Sequence, residues 1–191
     1  YATEDYIFGT APNVFLASQA ALIRPGMRAL AIADGEGRNG VWLSGQGAKV
    51  HAIDVSPFAL EKAKKLAAVR GVTLETEQVD VLNWDWPEAA YDLVAAIFIQ
   101  FAPPPERDRI IAGIRRTLKP GGLFFSDVVP LKFSLVRSAW YLRGLHRTVD
   151  DEFPYRRHDV EAWLRACALT DIRVFSSCVV PPLGLLGRVP L

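Results

Sequence analysis

Short apolar runs alternate with helical patterns along most of this chain, an order that predicts βαβ units and a parallel sheet. The first run, Arg28 to Ala33, predicts a strand, and a helix is expected from about Arg38. A second strand is expected over Lys49 to Ile53. Its helix should open at Ser56 as N-cap with Pro57 in the first turn, and close at Gly71 in a left-handed cap. A third strand follows from about Val72 to Val79, and a short loop with Trp84, Trp86 and Pro87 leads to a fourth, Tyr91 to Ile99. A helix over about Glu106 to Leu118 precedes Lys119-Pro120-Gly121-Gly122, which suits a tight turn. Strand five is expected over Leu123 to Val129, then an insertion at 131–156, a helix at about Asp159 to Ala168, and strand six at about Asp171 to Ser177. A helix from Thr10 to Ile23 should precede all of these. The expected fold is one α/β domain over 1–191: a Rossmann-like, doubly wound, mostly parallel sheet with helices on both faces.

Composition narrows the function classes. The 191 residues are 50% hydrophobic and 23% charged, enough for a substantial core. A formal charge of +1 predicts no general attraction to nucleic acid. Two cysteines, Cys167 and Cys178, form no disulfide framework and no CxxC pair, which points to a reduced, cytoplasmic setting. No apolar run reaches 18 residues, and Tyr1 to Asp5 has no signal-peptide pattern.

The chemistry concentrates at Asp34-Gly35-Glu36-Gly37-Arg38-Asn39-Gly40, where the first strand becomes a helix. Gly35-x-Gly37-x-x-Gly40 has the spacing of a nucleotide-binding turn, and Asp54 ends strand two where a ribose-binding carboxylate is expected. The alternative is a tight turn that needs glycine for its backbone, with Asp54 capping the next one. A dinucleotide would bring its pyrophosphate to this loop, beside the carboxylates of Asp34 and Glu36, and like charges repel strongly in a partly desolvated cleft. A ligand carrying a sulfonium and an ammonium group suits such a site better. Val79-Asp80-Val81 places another carboxylate at the end of strand three, either facing an adenine amino group or serving the turn.

GEGRNG, an acid ending strand two, Asp80 after strand three, Tyr91-Asp92-Leu93-Val94, and Leu118-Lys119-Pro120-Gly121-Gly122 together resemble class I S-adenosylmethionine-dependent methyltransferases. Tyr6-Ile7-Phe8-Gly9-Thr10-Ala11-Pro12-Asn13 and GEGRN resemble the small tellurite-resistance-like branch. The likeness runs from about Asp5 to Ser177 and implies S-adenosylmethionine as cofactor. It implies Gly35 and Gly37 at the methionine portion, Asp54 at the ribose hydroxyls, Asp80 and Val81 at the adenine, and Ile97 in the cofactor channel. Asp34, Glu36, Asn39 and Val55 complete the expected cofactor set. Two departures stand out. The family opens its glycine motif with an acid inside strand one and a glycine two residues later, where this chain has Ala31 and Ala33, so Asp34 is expected to take the acidic role. The family sheet also ends in an antiparallel seventh strand, whereas Pro181 to Leu191 shows no strand pattern.

The acceptor side is less marked. Methyl transfer to a good nucleophile needs alignment and desolvation more than a dedicated base. Gln100 and His146 are candidate catalytic groups, and Tyr6, Phe8, Trp140, Arg143 and Arg147 candidate acceptor contacts, each equally able to be a solvated or core side chain. His51, inside strand two, reads as structural. The 131–156 insertion, apolar on one side and basic on the other, is expected to cover the acceptor, with a membrane-surface face as the alternative. No metal-ligand pattern appears. The expected activity is methyl transfer to a small-molecule acceptor. The alternatives are a nicotinamide-dependent oxidoreductase on the same glycine loop and a non-catalytic S-adenosylmethionine-binding protein.

Overall fold

The computed structural model describes residues 4–99, 102–128, 165, 170–176 and 183–188. Within them lie β1 (Arg28–Ile32), β2 (Lys49–Asp54), β3 (Glu75–Gln78), β4 (Tyr91–Ala96), β5 (Leu118–Val128), β6 (Thr170–Ser176) and β7 (Leu183–Arg188). The helices are α1 (Val14–Ser18), α2 (Arg38–Gly45), α3 (Pro57–Arg70) and α4 (Pro104–Thr117). The strands form one sheet in the order β3-β2-β1-β4-β5-β7-β6. Pairings from β3 through β5 are parallel, and β7 lies antiparallel between β5 and β6.

β7 corrects the sequence expectation for the C-terminal stretch. Leu183 to Arg188 carries two glycines and no alternation, so period-two patterning could not reveal it. Sheet hydrogen bonding to both β5 and β6 supplies the order that propensity does not. The N-terminal helix is likewise shorter than expected. Asn13 caps α1 by accepting the Leu16 N–H, and a single 3₁₀ turn over Ala20–Leu22 replaces the rest. β3 begins at Glu75 rather than Val72, and β4 ends at Ala96 rather than Ile99. The Lys119–Gly122 segment is a bulge inside β5 rather than a turn before it. Pairing passes from Tyr91–Leu118 to Leu93–Leu123, and Gly121 takes a positive φ of 73°. The expected helix at 159–168 and the insertion at 131–156 lie outside the described residues, Arg165 excepted.

The core explains why helices flank both faces. Along β1, Ala29 and Ala31 pack with Phe15, Leu16 and Leu43 of α1 and α2, while Leu30 and Ile32 pack with Ile110, Ile111 and Ile114 of α4. β4 splits in the same way, Leu93 and Ala95 against Val94 and Ala96. Both faces of a central strand are therefore apolar, which is why these strands read as continuous hydrophobic runs. Ser56 caps α3 and Gly71 closes it with φ 65°, as the sequence predicted. The strands β1 to β4 all end at the same edge, and the loops there enclose the site.

Candidate functional site

At the carboxyl ends of β1, β2, β3 and β4 lies a cavity of about 370 Å³, within the range of small-ligand sites. Nine of the ten cofactor residues expected from sequence line it: Asp34, Gly35, Glu36, Asn39, Asp54, Val55, Asp80, Val81 and Ile97. Gly37 does not. It stands behind the loop as the N-cap of α2, with φ 88°, where an added Cβ would lie 2.6 Å from the Ala63 Cβ of α3. Glycine there serves helix–helix approach rather than ligand contact.

The glycine turn is built from its own acids. Asp54 Oδ2 accepts the Gly35 N–H and Oδ1 the Ser56 N–H, both at 2.9 Å, so one carboxylate joins the loops after β1 and β2. Both oxygens of Asp34 accept the Gly40 N–H at the start of α2, 3.2 and 3.0 Å. A side chain at position 40 would collide with that carboxylate, which is why Gly40 is required. Burial pushes the Asp34 carboxyl up to about 7, with Asp54 adding to the rise; the Gly40 N–H and Arg38 pull the other way. Ala33 holds φ 48° where the family's glycine would stand, so the left-handed turn persists without glycine.

Glu36 behaves differently from its sequence reading. The residue is 4% exposed, and its carboxylate lies 2.6 Å from Lys62 Nζ and accepts the Ile7 N–H at 2.7 Å. The ion pair offsets its charge, so Glu36 adds little net charge to the cavity. No spacing signal marks Lys62, because the partners sit on α3 and in the glycine loop, 26 positions apart. Asp80 holds its own turn, accepting from Leu82 N–H at 3.0 Å and Asn83 Nδ2 at 2.6 Å, while still lining the cavity.

Nine lining residues fall outside the expected cofactor set, Phe8, Arg38 and Phe98 among them. Phe8, expected at the acceptor, stacks on Phe98 at 6.1 Å between ring centroids, and the Arg38 guanidinium lies 5.7 and 5.4 Å from the two rings. Arg38 and Phe98 carry no spacing signal that would have marked them. Tyr6 does not line the cavity; its hydroxyl donates to the Lys62 carbonyl at 3.1 Å. Gln100, Trp140, Arg143, His146 and Arg147 lie outside the described residues. His51 bridges Tyr91 Oη at 2.7 Å and Glu77 Oε2 at 3.2 Å, away from the cavity. Among the described residues, no group of three or more His, Cys, Asp or Glu is placed to hold a metal. No helix among them is long and apolar enough to cross a membrane.

The cavity lies at the carboxyl edge of a sheet of order β3-β2-β1-β4-β5-β7-β6. Residues 29–122 match the family model described as a methyltransferase domain. Over that span the chain is similar to a methyltransferase domain. That matched span includes the glycine turn, Asp54, Asp80 and the β5 bulge. The domain is 35% identical over 105 residues to an uncharacterized methyltransferase of Synechocystis, covering 53% of this chain and 47% of that protein. It is 31% identical over 127 residues to the ubiquinone/menaquinone biosynthesis C-methyltransferase of Ralstonia pickettii, covering 65% and 50%. The chain thus spans about half the length of these relatives. A solved S-adenosylmethionine-dependent methyltransferase from Methanosarcina mazei shares the fold with a TM-score of 0.73 at 17% identity, covering 95% of this chain and 99% of that one.

Proposed function

We propose that this methyltransferase domain transfers the methyl group of S-adenosylmethionine to a small-molecule acceptor. The observation that carries the reading is the charge of the cavity: Asp34, Asp54 and Asp80 line apolar walls of Ile53, Val79, Val81 and Ile97. That donor set fits a cationic, phosphate-free nucleoside and disfavours a dinucleotide pyrophosphate. When bound, S-adenosylmethionine supplies a methyl group activated by its sulfonium. Asp54, already oriented by two backbone N–H groups, accepts from the ribose hydroxyls. Asp80, Val81, Leu82 and Val55 would hold the adenine. Asn39 and Asp34 border the methionine end, where the Asp34 carboxylate favours positive charge. Ile97 and Phe98 exclude water from the β4 side, which methyl transfer requires of its site.

The tellurite-resistance-like branch is the subtype we favour, on GEGRN and Tyr6 to Asn13. A small acceptor and a cytoplasmic setting go with that reading. Titration calorimetry of the chain with S-adenosylmethionine, its demethylated product and NAD tests it. Binding of the first two without NAD is expected; NAD binding alone would overturn it. Ala31 and Ala33 favour a second reading, a domain that binds S-adenosylmethionine without catalysis. Binding with no methyl transfer across a broad acceptor screen would select it.

A further inference from the structure

Phe98, two residues beyond the end of β4, holds φ 60°, a left-handed conformation that an aromatic residue adopts only when its surroundings impose it. Its N–H donates to Asp127 Oδ1 at 2.6 Å. Asp127, near the end of β5, is fully buried, and its other oxygen accepts from Asn13 Nδ2 at 3.1 Å. Asn13 in turn donates its backbone N–H to Asn39 Oδ1 at 2.9 Å, and Asn39 lines the cavity. One buried carboxylate therefore ties together the start of α1, the start of α2 and the loop after β4. A carboxylate is a strong acceptor for a backbone N–H, and burial strengthens the bond. The Phe98 ring, so held, lines the cavity and stacks on Phe8 beneath Arg38.

We infer that Asp127 is a positioning residue: by accepting the Phe98 N–H it fixes the Phe98 ring as the β4-side wall of the cofactor cavity. Asp127 is not a cavity-lining residue itself, so its effect on the ligand passes through Phe98. Without that acceptor the residue at 98 is free to leave the left-handed region, and the ring leaves the wall with it. The inference rests on the S-adenosylmethionine site proposed above.

The test measures the S-adenosylmethionine Kd and the melting temperature for the full chain and for Asp127→Asn, Asp127→Ala, Phe98→Gly and the Asp127→Asn/Phe98→Gly pair. Glycine accepts φ 60° without strain and removes the ring, so Phe98→Gly isolates the wall from the fold. Phe98→Gly and Asp127→Ala should each weaken binding roughly tenfold, as coupled neighbours do. Asp127→Asn keeps one acceptor oxygen and should weaken binding less. The double variant should bind no more weakly than Phe98→Gly alone. An Asp127 variant that lowers the melting temperature and leaves Kd unchanged, or a double variant whose losses add fully, would overturn the inference. Should Asp127→Ala fail to fold, the Asp127→Asn cycle decides alone. A wild-type chain that does not bind S-adenosylmethionine instead overturns the proposed function, a result read before any variant.

Discussion

Lys62 Nζ of α3 sits 2.6 Å from Glu36 Oε1 in the glycine turn, with the two side chains only 10% and 3% exposed. The same ammonium donates to the Asp5 carbonyl at 2.7 Å, and the other Glu36 oxygen holds the Ile7 N–H. This buried pair is what anchors the N-terminal segment over the glycine loop. Lys62→Met should leave Glu36 buried and uncompensated, costing about 3–5 kcal/mol of unfolding free energy. Urea unfolding measures it, and limited proteolysis should show new cleavage near residues 5–9. Glu36→Gln combined with Lys62→Met should recover much of the stability loss. Equal stability of the single and double variants would mean the pair carries no net charge penalty.

Asp54 joins the two loops that border the nucleoside portion of the cavity. Replacing it with alanine removes the proposed ribose acceptor and strands the Gly35 and Ser56 N–H groups. S-adenosylmethionine affinity should fall by roughly 2–4 kcal/mol, read by calorimetry. Asp54→Asn keeps one acceptor oxygen and should lose less. An unchanged Kd in the alanine variant would place the ribose elsewhere.

Asp34 gives the domain a pH dependence near neutrality. Its folded pKa of about 7 lies above the usual aspartate value, so between pH 4 and 7 the folded chain binds more protons than the unfolded one. Stability contributed by protonated Asp34 is therefore present in acid and lost as pH rises through 7. Melting temperatures of the free chain should fall over pH 4–7 more steeply than those of Asp34→Asn. A cationic ligand favours the ionised carboxylate, so S-adenosylmethionine should bind more tightly as pH rises through 7. Below that pH, binding should release a proton, detectable by calorimetry in buffers of different ionisation enthalpy. No proton release in the wild type would remove Asp34 from the cationic end.

Two glycines predict opposite signs for one substitution. Gly37→Ala meets both φ 88° and the 2.6 Å approach to Ala63, and should destabilise by about 2–4 kcal/mol. Gly45→Ala, at the end of α2 with nothing within 4 Å of the new Cβ, should stabilise by about 0.5–1 kcal/mol. Thermal melts of the two variants test both at once. A tolerated Gly37→Ala would mean that α2 and α3 can separate without cost.

Much of this domain is legible in the sequence alone. The apolar runs located β1, β2, β4 and β5, because strands buried on both faces must be continuously hydrophobic. The Ser56-Pro57 start and Gly71 close of α3 followed from local capping chemistry. The glycine turn, Asp54 and Asp80, together with the family resemblance they carry, named nine of the residues that now line one cavity, because the loops that hold them gather at the same sheet edge. Tertiary structure decided the rest. β7 exists through its hydrogen bonds to β5 and β6, a pairing that Leu183–Arg188 does not encode in its own pattern. The partners Glu36–Lys62 and Phe98–Asp127 lie 26 and 29 positions apart, and only the packing of α3 and β5 brings them within hydrogen-bond reach. Sequence spacing carries information where neighbours along a helix or strand are also neighbours in space. A buried charge finds its partner across the fold, so which carboxylate faces the ligand and which is spent on structure was decided by the tertiary contacts.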